Sequence, residues 1–195
     1  MGAGHDGPRT RERILDAAAA VLRDRGIAHA TTKEIAREAG CSEALLYKHF
    51  PDKLRIFMSV MKERQPALTD PQRLVGQGRV RDNLATVAQG LMAFYVRTFP
   101  LAASIFGSSQ LLESWREGIR ASGGGPESPL AKVERYLAAE QADGRLPEDL
   151  DRGAVAMALV GASFHQGFLA AFNGLDEVPD GAGIADRIAA ALLPE

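Results

Sequence analysis

The residues with chemistry to offer crowd into "CSEALLYKHFPDK", positions 41 to 53, where Tyr47, Lys48 and His49 lie among two apolar residues four apart, Leu46 and Phe50. On a helix that spacing turns Leu46 and Phe50 to one side and leaves hydrogen-bonding and cationic groups on the other. These groups are suited to binding rather than to breaking bonds. The four histidines, His5, His29, His49 and His165, are scattered without metal-ligand spacing, and the single cysteine, Cys41, has no assignable partner base. Neither a Gly-x-Ser-x-Gly elbow nor a His-Glu-x-x-His pair occurs. The glycine run of "SGGGPESP", 122 to 129, lacks the Gly-x-x-x-x-Gly-Lys-Ser/Thr frame of a phosphate loop and reads as a flexible loop. The expectation is a binding protein with no catalytic residue, no metal and no cofactor.

The elements that must position these residues are helices throughout. Ile14, Leu15, Ala18, Val21 and Leu22 recur three and four apart, and Gly26 stands where a left-handed C-terminal residue belongs, so a first helix is expected over 9–25. Thr31 and Glu34 have capping-box spacing ahead of a short helix at 32–39. Gly40 gives a tight turn, Ser42 is a good N-cap for a third helix ending near Phe50, and Leu54, Ile56, Phe57, Val60 and Met61 give a fourth its apolar stripe. Two short helices joined by a Gly-containing turn and braced by longer ones form a helix-turn-helix, which lays its second helix in the major groove. Leu46 and Phe50 then face the first and fourth helices, and Ser42, Glu43, Ala44, Leu45 and Lys48 face the groove. A bland helical subdomain has the same periodicity.

The stretch "TTKEIAREAGCSEALLYKHFPDK" resembles the DNA-binding head of the TetR family of bacterial transcriptional regulators. The Thr31-x-x-x-Ile35-Ala36, Ala39-Gly40, Ser42, Leu46-Tyr47-x-His49-Phe50 and Lys53 landmarks stand in order without gaps. The resemblance covers about residues 9 to 64. It implies a homodimer on double-stranded DNA whose divergent C-terminal domain binds a small molecule that changes DNA affinity. It also implies that Thr31 or Thr32, Tyr47 and Lys53 meet phosphates, and that His49 is either structural or a base reader. Of Arg9, Arg11 and Arg13, one is expected to reach DNA, and Arg11 is taken as the candidate. Three residues depart from the family's usual pattern. Cys41 is read as a small buried thiol or a redox switch. Leu45 could touch a thymine methyl, and Glu43 can accept from a cytosine amino group or orient a cation.

Beyond "PALTDPQRLVGQGRVRD", read as a connector, helices are expected over about 80–99, through Trp115 to 121, and over 130–143, 150–173 and 184–193, with a break at Pro100. Residues 153 to 175 carry no formal charge over 23 positions, long enough to cross a bilayer. His165, Gln166 and Asn173 interrupt the run and no basic flank orients it, so no membrane partner is expected. Ala154, Ala158 and Ala162, and beside them Ser163, Gly167 and Ala171, form two stripes that would let a second copy approach closely. Phe94, Phe99, Phe106, Trp115, Phe164 and Phe168 are candidates to line a ligand cavity or to fill a core, and His165 could bind ligand or sit satisfied in a core or interface.

The whole chain of 195 residues has a formal charge of −2, with 12 Lys+Arg against 9 Asp+Glu in residues 1–65 and 11 against 16 in the rest. One cysteine and an N-terminus without an apolar signal core suit the cytoplasm. The expected protein is all-α: an arm at 1–8, a helix-turn-helix head with its connecting fourth helix at 9–64, and a ligand-binding and dimerisation domain at 65–195. It is read as an effector-released repressor on an inverted repeat. A helical protein-interaction module and a constitutive DNA-binding dimer without an effector are the alternatives.

Overall fold

Apolar residues three and four apart leave each segment with one face to bury, and helices are the result. The computed structural model describes residues 7–64, 68, 70–122, 125 and 127–194. Among them are nine α-helices, one short 3-10 turn at Pro71–Leu74 and no strand. Residues 1–6 of the expected arm, with His5, lie outside the described residues, as do Gln65, Pro66, Ala67 and Thr69 of the connector and Gly123, Gly124 and Pro126 of the expected loop.

The chain forms two compact units, one of residues 1–65 with 100–122, here the head unit, and one of residues 66–99 with 123–195, the body unit. All of 65–195 was expected in one domain; instead residues 100–122 pack with the head. The reason lies at Pro100, where a break was expected. Helix α5 runs uninterrupted over Val80–Phe106 with Pro100 inside it, so its last turns carry Leu101 and Ile105 into the head core. A proline removes one intrahelical N–H donor without ending the helix when packing holds both sides.

In the head unit α1 is Gly7–His29, α2 Thr32–Glu38, α3 Glu43–His49, α4 Lys53–Glu63 and α6 Ser109–Ser122. Helix α1 starts at Gly7, inside the expected arm, and its regular part stops at Gly26, whose φ of 68° is left-handed and favours glycine. Ile14, Leu15, Ile35, Leu46, Phe50, Ile56, Phe57 and Val60 are buried in one core. Trp115 of α6 closes it against Phe57, ring centroids 5.5 Å apart.

The body unit packs residues 80–99 of α5 with α7 (Ser128–Ala142), α8 (Arg152–Phe172) and α9 (Gly181–Leu192) around Leu84, Ala88, Met92, Tyr136, Leu137 and Leu159. Polar groups are buried with the apolar ones. The Asn83 amide donates to the Tyr136 hydroxyl at 2.9 Å and to the Gln77 carbonyl at 2.8 Å. The fully buried Glu140 carboxylate accepts from the Gly76 N–H at 3.2 Å and pairs with Arg145 Nε at 3.0 Å. Burial pushes the Tyr136 phenol well above its ordinary pKa. Helix α8 is long and apolar enough to cross a membrane by length and composition, and a third of its most apolar stretch is buried inside the chain.

Candidate nucleic-acid interface

Three caps aim the short helices. Thr31 and Glu34 form a complete capping box at the start of α2: the Glu34 N–H donates to the Thr31 hydroxyl at 3.2 Å, and the Thr31 N–H donates to the Glu34 carboxylate at 3.2 Å. The Thr31 hydroxyl also donates to that carboxylate at 3.0 Å. These bonds from Thr31, led by its hydroxyl, hold Glu34 below the usual carboxylate range, helped by Arg25 and Arg37. Gly40, at φ 62°, turns the chain. The Ser42 hydroxyl then accepts from the Leu45 N–H at 3.1 Å, and Asp52 caps α4 by accepting from the Arg55 N–H at 2.7 Å.

This fixes which face of α3 is free. Leu46 and Phe50 are buried, Ser42, Glu43, Ala44, Tyr47 and Lys48 are exposed, and Leu45 and His49 are half-buried. A second link ties α3 back to α2. The Thr32 hydroxyl donates to the Glu43 carboxylate at 2.9 Å and lies 3.2 Å from the Tyr47 hydroxyl. The residues of this cluster are 11 and 15 positions apart, so no helical period could announce it.

The structure places some expected DNA contacts differently. The Thr31 hydroxyl is taken up by the capping box, which leaves Thr32 as the threonine at the surface cluster. Arg11 donates through both terminal nitrogens to Glu63, at 2.7 and 2.6 Å, and stacks over the Phe50 ring at 5.4 Å. Together with Arg64, which joins Glu12 and Asp16, it braces α1 against α4 rather than reaching outward. Lys53, the first residue of α4, is half-buried and lines a void of about 40 Å³ with Leu54, Phe57, Ile105 and Leu111. Burial lowers its amine pKa, against a raising effect from Glu34.

The residues expected around a ligand are not brought into one cavity. Trp115 is part of the head core and Phe106 is an exposed head residue. In the body, the rings of Tyr95, Phe164, Phe99, Phe168 and Phe172 form a ladder with successive centroids 5.1, 5.9, 4.9 and 5.9 Å apart, and Phe94 joins it at Tyr95. Much of it faces outward: Phe172 is 76% exposed, and His165 is exposed beside it. Met157 and Leu175 extend the exposed apolar row.

The two small-residue stripes of α8 also part company. Ala154 and Ala158 are exposed and Ala162 is half-buried, whereas Ser163 and Gly167 are buried and Ala171 is half-buried. A Cβ on Gly167 would stand 2.6 Å from Tyr95 Cβ and 3.1 Å from Val96 N. The close approach expected of a second copy is made at Gly167 by α5 of the same chain, and the buried Ser163 hydroxyl donates to the Leu159 carbonyl of its own helix at 2.7 Å.

Residues 14–60, from the middle of α1 to near the end of α4, match the family model described as bacterial regulatory proteins, tetR family. The head belongs to the tetR family. Over 117 residues the chain is 32% identical to the nucleoid occlusion factor SlmA of Vibrio vulnificus, a match that takes in 58% of this chain and 60% of that protein. It is 42% identical over 59 residues to the HTH-type transcriptional regulator SrpR of Pseudomonas putida, across 30% of this chain and 28% of that one. The chain thus spans less than two thirds of the length of these curated relatives. A putative TetR-family transcriptional regulator from Mesorhizobium loti has the same fold from end to end, with a TM-score of 0.74 at 23% identity over 97% of this chain and 98% of that one. The FadR regulator of Bacillus subtilis, solved with stearoyl-CoA, shares the fold at TM-score 0.67 and 19% identity, over 94% of this chain and 97% of that one. The same fold therefore extends over the body.

Proposed function

We propose that the protein is a DNA-binding transcriptional regulator that represses from the cytoplasm as a homodimer on an inverted repeat. Helix α3 carries the reading: it is capped by Ser42, anchored by buried Leu46 and Phe50, and presents Glu43, Ala44, Tyr47 and Lys48 outward inside the family-matched segment. So short a helix reads few base pairs, and two-fold protein symmetry supplies a second half-site. The exposed row of Met157, Phe164, Phe172 and Leu175 on and after α8 suits a second copy, because an apolar patch of that extent is costly to leave in water. A gel shift on the DNA flanking its own gene tests the reading. Binding should be dimeric and should weaken steeply between about 50 and 200 mM salt. Monomeric or salt-insensitive binding sinks it. Phe172→Glu should produce a monomer in sedimentation and lose operator affinity.

Within this reading Lys53 grips phosphate and Lys48 faces bases. Lys53→Ala should weaken cognate and scrambled DNA about equally and reduce the salt slope by roughly one, while Lys48→Ala changes base preference. The opposite pattern reverses the two assignments.

An effector is part of the same reading. The family fold is shared with proteins solved with stearoyl-CoA and with triclosan, and the body has an open groove of about 380 Å³ where Met92 and Val178 stand among Gln89, Arg97, Asp176 and Glu177. A mostly apolar ligand would lower DNA affinity five- to 150-fold for about 1–3 kcal/mol of coupling. One observation favours a constitutive dimer without an effector: the aromatic residues of the body stack on one another in a half-exposed ladder instead of lining a cavity. A thermal-shift screen over apolar ligands decides between them, since a constitutive dimer gives no shift and no ligand-driven release from DNA.

A further inference from the structure

The cluster of Thr32, Glu43 and Tyr47 carries a hydrogen-bond direction that follows from counting protons. An ionised carboxylate only accepts, so the single Thr32 proton goes to Glu43, at 2.9 Å. With that proton used, the contact of 3.2 Å between the Thr32 and Tyr47 hydroxyls is made by Tyr47 donating. The chain runs from Tyr47 through Thr32 to the Glu43 carboxylate. Both hydroxyls able to donate to a phosphate are thereby turned toward Glu43 in the free protein. The carboxylate is held by one oxygen, Oε1, at the start of α3 on its exposed face, which leaves the other to accept.

On the reading that α3 enters the major groove, a carboxylate there can be matched by few base edges. Guanine N7 and O6 and thymine O4 are acceptors and repel it, adenine sets N7 beside its amino group, and cytosine offers its amino group without a neighbouring acceptor. We propose that Glu43 is a specificity-determining residue of α3: it draws the Tyr47 and Thr32 protons away from phosphate and selects cytosine at one position of each half-site. It weakens grip on any DNA and strengthens it on the right one. This inference rests on the DNA-binding reading above.

The test is selection of sites from a randomised duplex library by the full-length protein, with Glu43→Gln and Thr32→Val in parallel. A glutamine still accepts from Thr32 through its carbonyl, so the head should keep its melting temperature, but its amide now also donates. Wild type should enrich cytosine at one half-site position. Glu43→Gln should lose about tenfold of that preference in favour of adenine, the base a glutamine matches, and should bind scrambled DNA more tightly. Thr32→Val leaves the carboxylate in place but untethered, so cytosine should remain preferred, less sharply. If Glu43→Gln enriches the same bases as wild type, or Thr32→Val loses cytosine as completely as Glu43→Gln does, Glu43 is a structural tie between α2 and α3 and the proposal is overturned. If wild type enriches no sequence at all, the regulatory reading fails and this inference falls with it.

Discussion

The head and body units use their polar side chains in opposite ways. In the head, Thr31 with Glu34, Ser42 with Leu45, and Asp52 with Arg55 close loops three residues long at exposed sites. In the body, buried Asn83 reaches buried Tyr136 across 53 positions, and Gly76 reaches the fully buried Glu140 carboxylate across 64. Exposed caps contribute about 1 kcal/mol each and water substitutes for them in part, whereas a buried polar group stripped of its partner keeps its whole desolvation penalty. The head is thus held around one apolar core by contacts that water can replace in part, its local caps and the surface ion pairs of Arg11 and Arg64 alike. The body is held by a few distant and irreplaceable ones.

The largest expected effect tests the head core. Leu46→Ala removes a fully buried side chain at the centre of the helix-turn-helix and should cost about 3 kcal/mol. The sole tryptophan, Trp115, packs in the same unit, so its fluorescence reports that loss directly. Next comes Glu140→Ala in the body, which removes a fully buried carboxylate together with its bond from the Gly76 N–H and its pair with Arg145, and should cost about 2 kcal/mol. Circular dichroism should register it while the Trp115 transition stays where it is. If both probes shift together for either variant, the two units melt as one and the contrast between them dissolves.

Smaller effects sharpen the account of the head. Thr31→Ala should destabilise it by about 1 kcal/mol through loss of the capping box. The linked carboxylate, Glu34, has its pKa lowered in the folded state, so its contribution is present at neutral pH and above the ordinary glutamate value. It is lost as pH falls through the folded-state value. Thr31→Ala should therefore flatten the acid limb of the stability curve, and an unchanged limb would mean that Glu34 is not held by Thr31. The smallest effect is expected at Arg11→Ala, below about 1 kcal/mol, because its pair with Glu63 is partly exposed and screened. A DNA-affinity loss of tenfold or more in that variant, with stability unchanged, would return Arg11 to the interface.

Local signals were legible wherever the deciding partner was near in the chain. The capping box of Thr31 and Glu34, the cap at Ser42, the left-handed Gly26 and Gly40, and the inward turn of Leu46 and Phe50 all follow from spacing, and all are present. Pro100 was misleading, since its local preference is to stop a helix while the packing of Leu101 and Ile105 continues it. Arg11 looked like a phosphate ligand from its place ahead of the head core, and nothing nearby announces Glu63, 52 positions away. The aromatic positions of 94–168 read as cavity or core and divide instead: Trp115 joins the head core, Phe106 is exposed, and Phe94, Phe99, Phe164 and Phe168 stack in a half-exposed ladder with Tyr95 and Phe172.

What the sequence determined by itself is the all-helical character, the caps and turns of the head, and which face of α3 is anchored. These depend on backbone preferences and on periods of three and four residues, which act within one or two turns. Tertiary structure alone decided that residues 100–122 belong with the head, that Gly167 meets α5 of its own chain, and that Thr32, Glu43 and Tyr47 share their protons. Each of those depends on groups from different helices coming into direct contact. Such contacts are set by how whole helix faces pack, and no spacing along the chain encodes them.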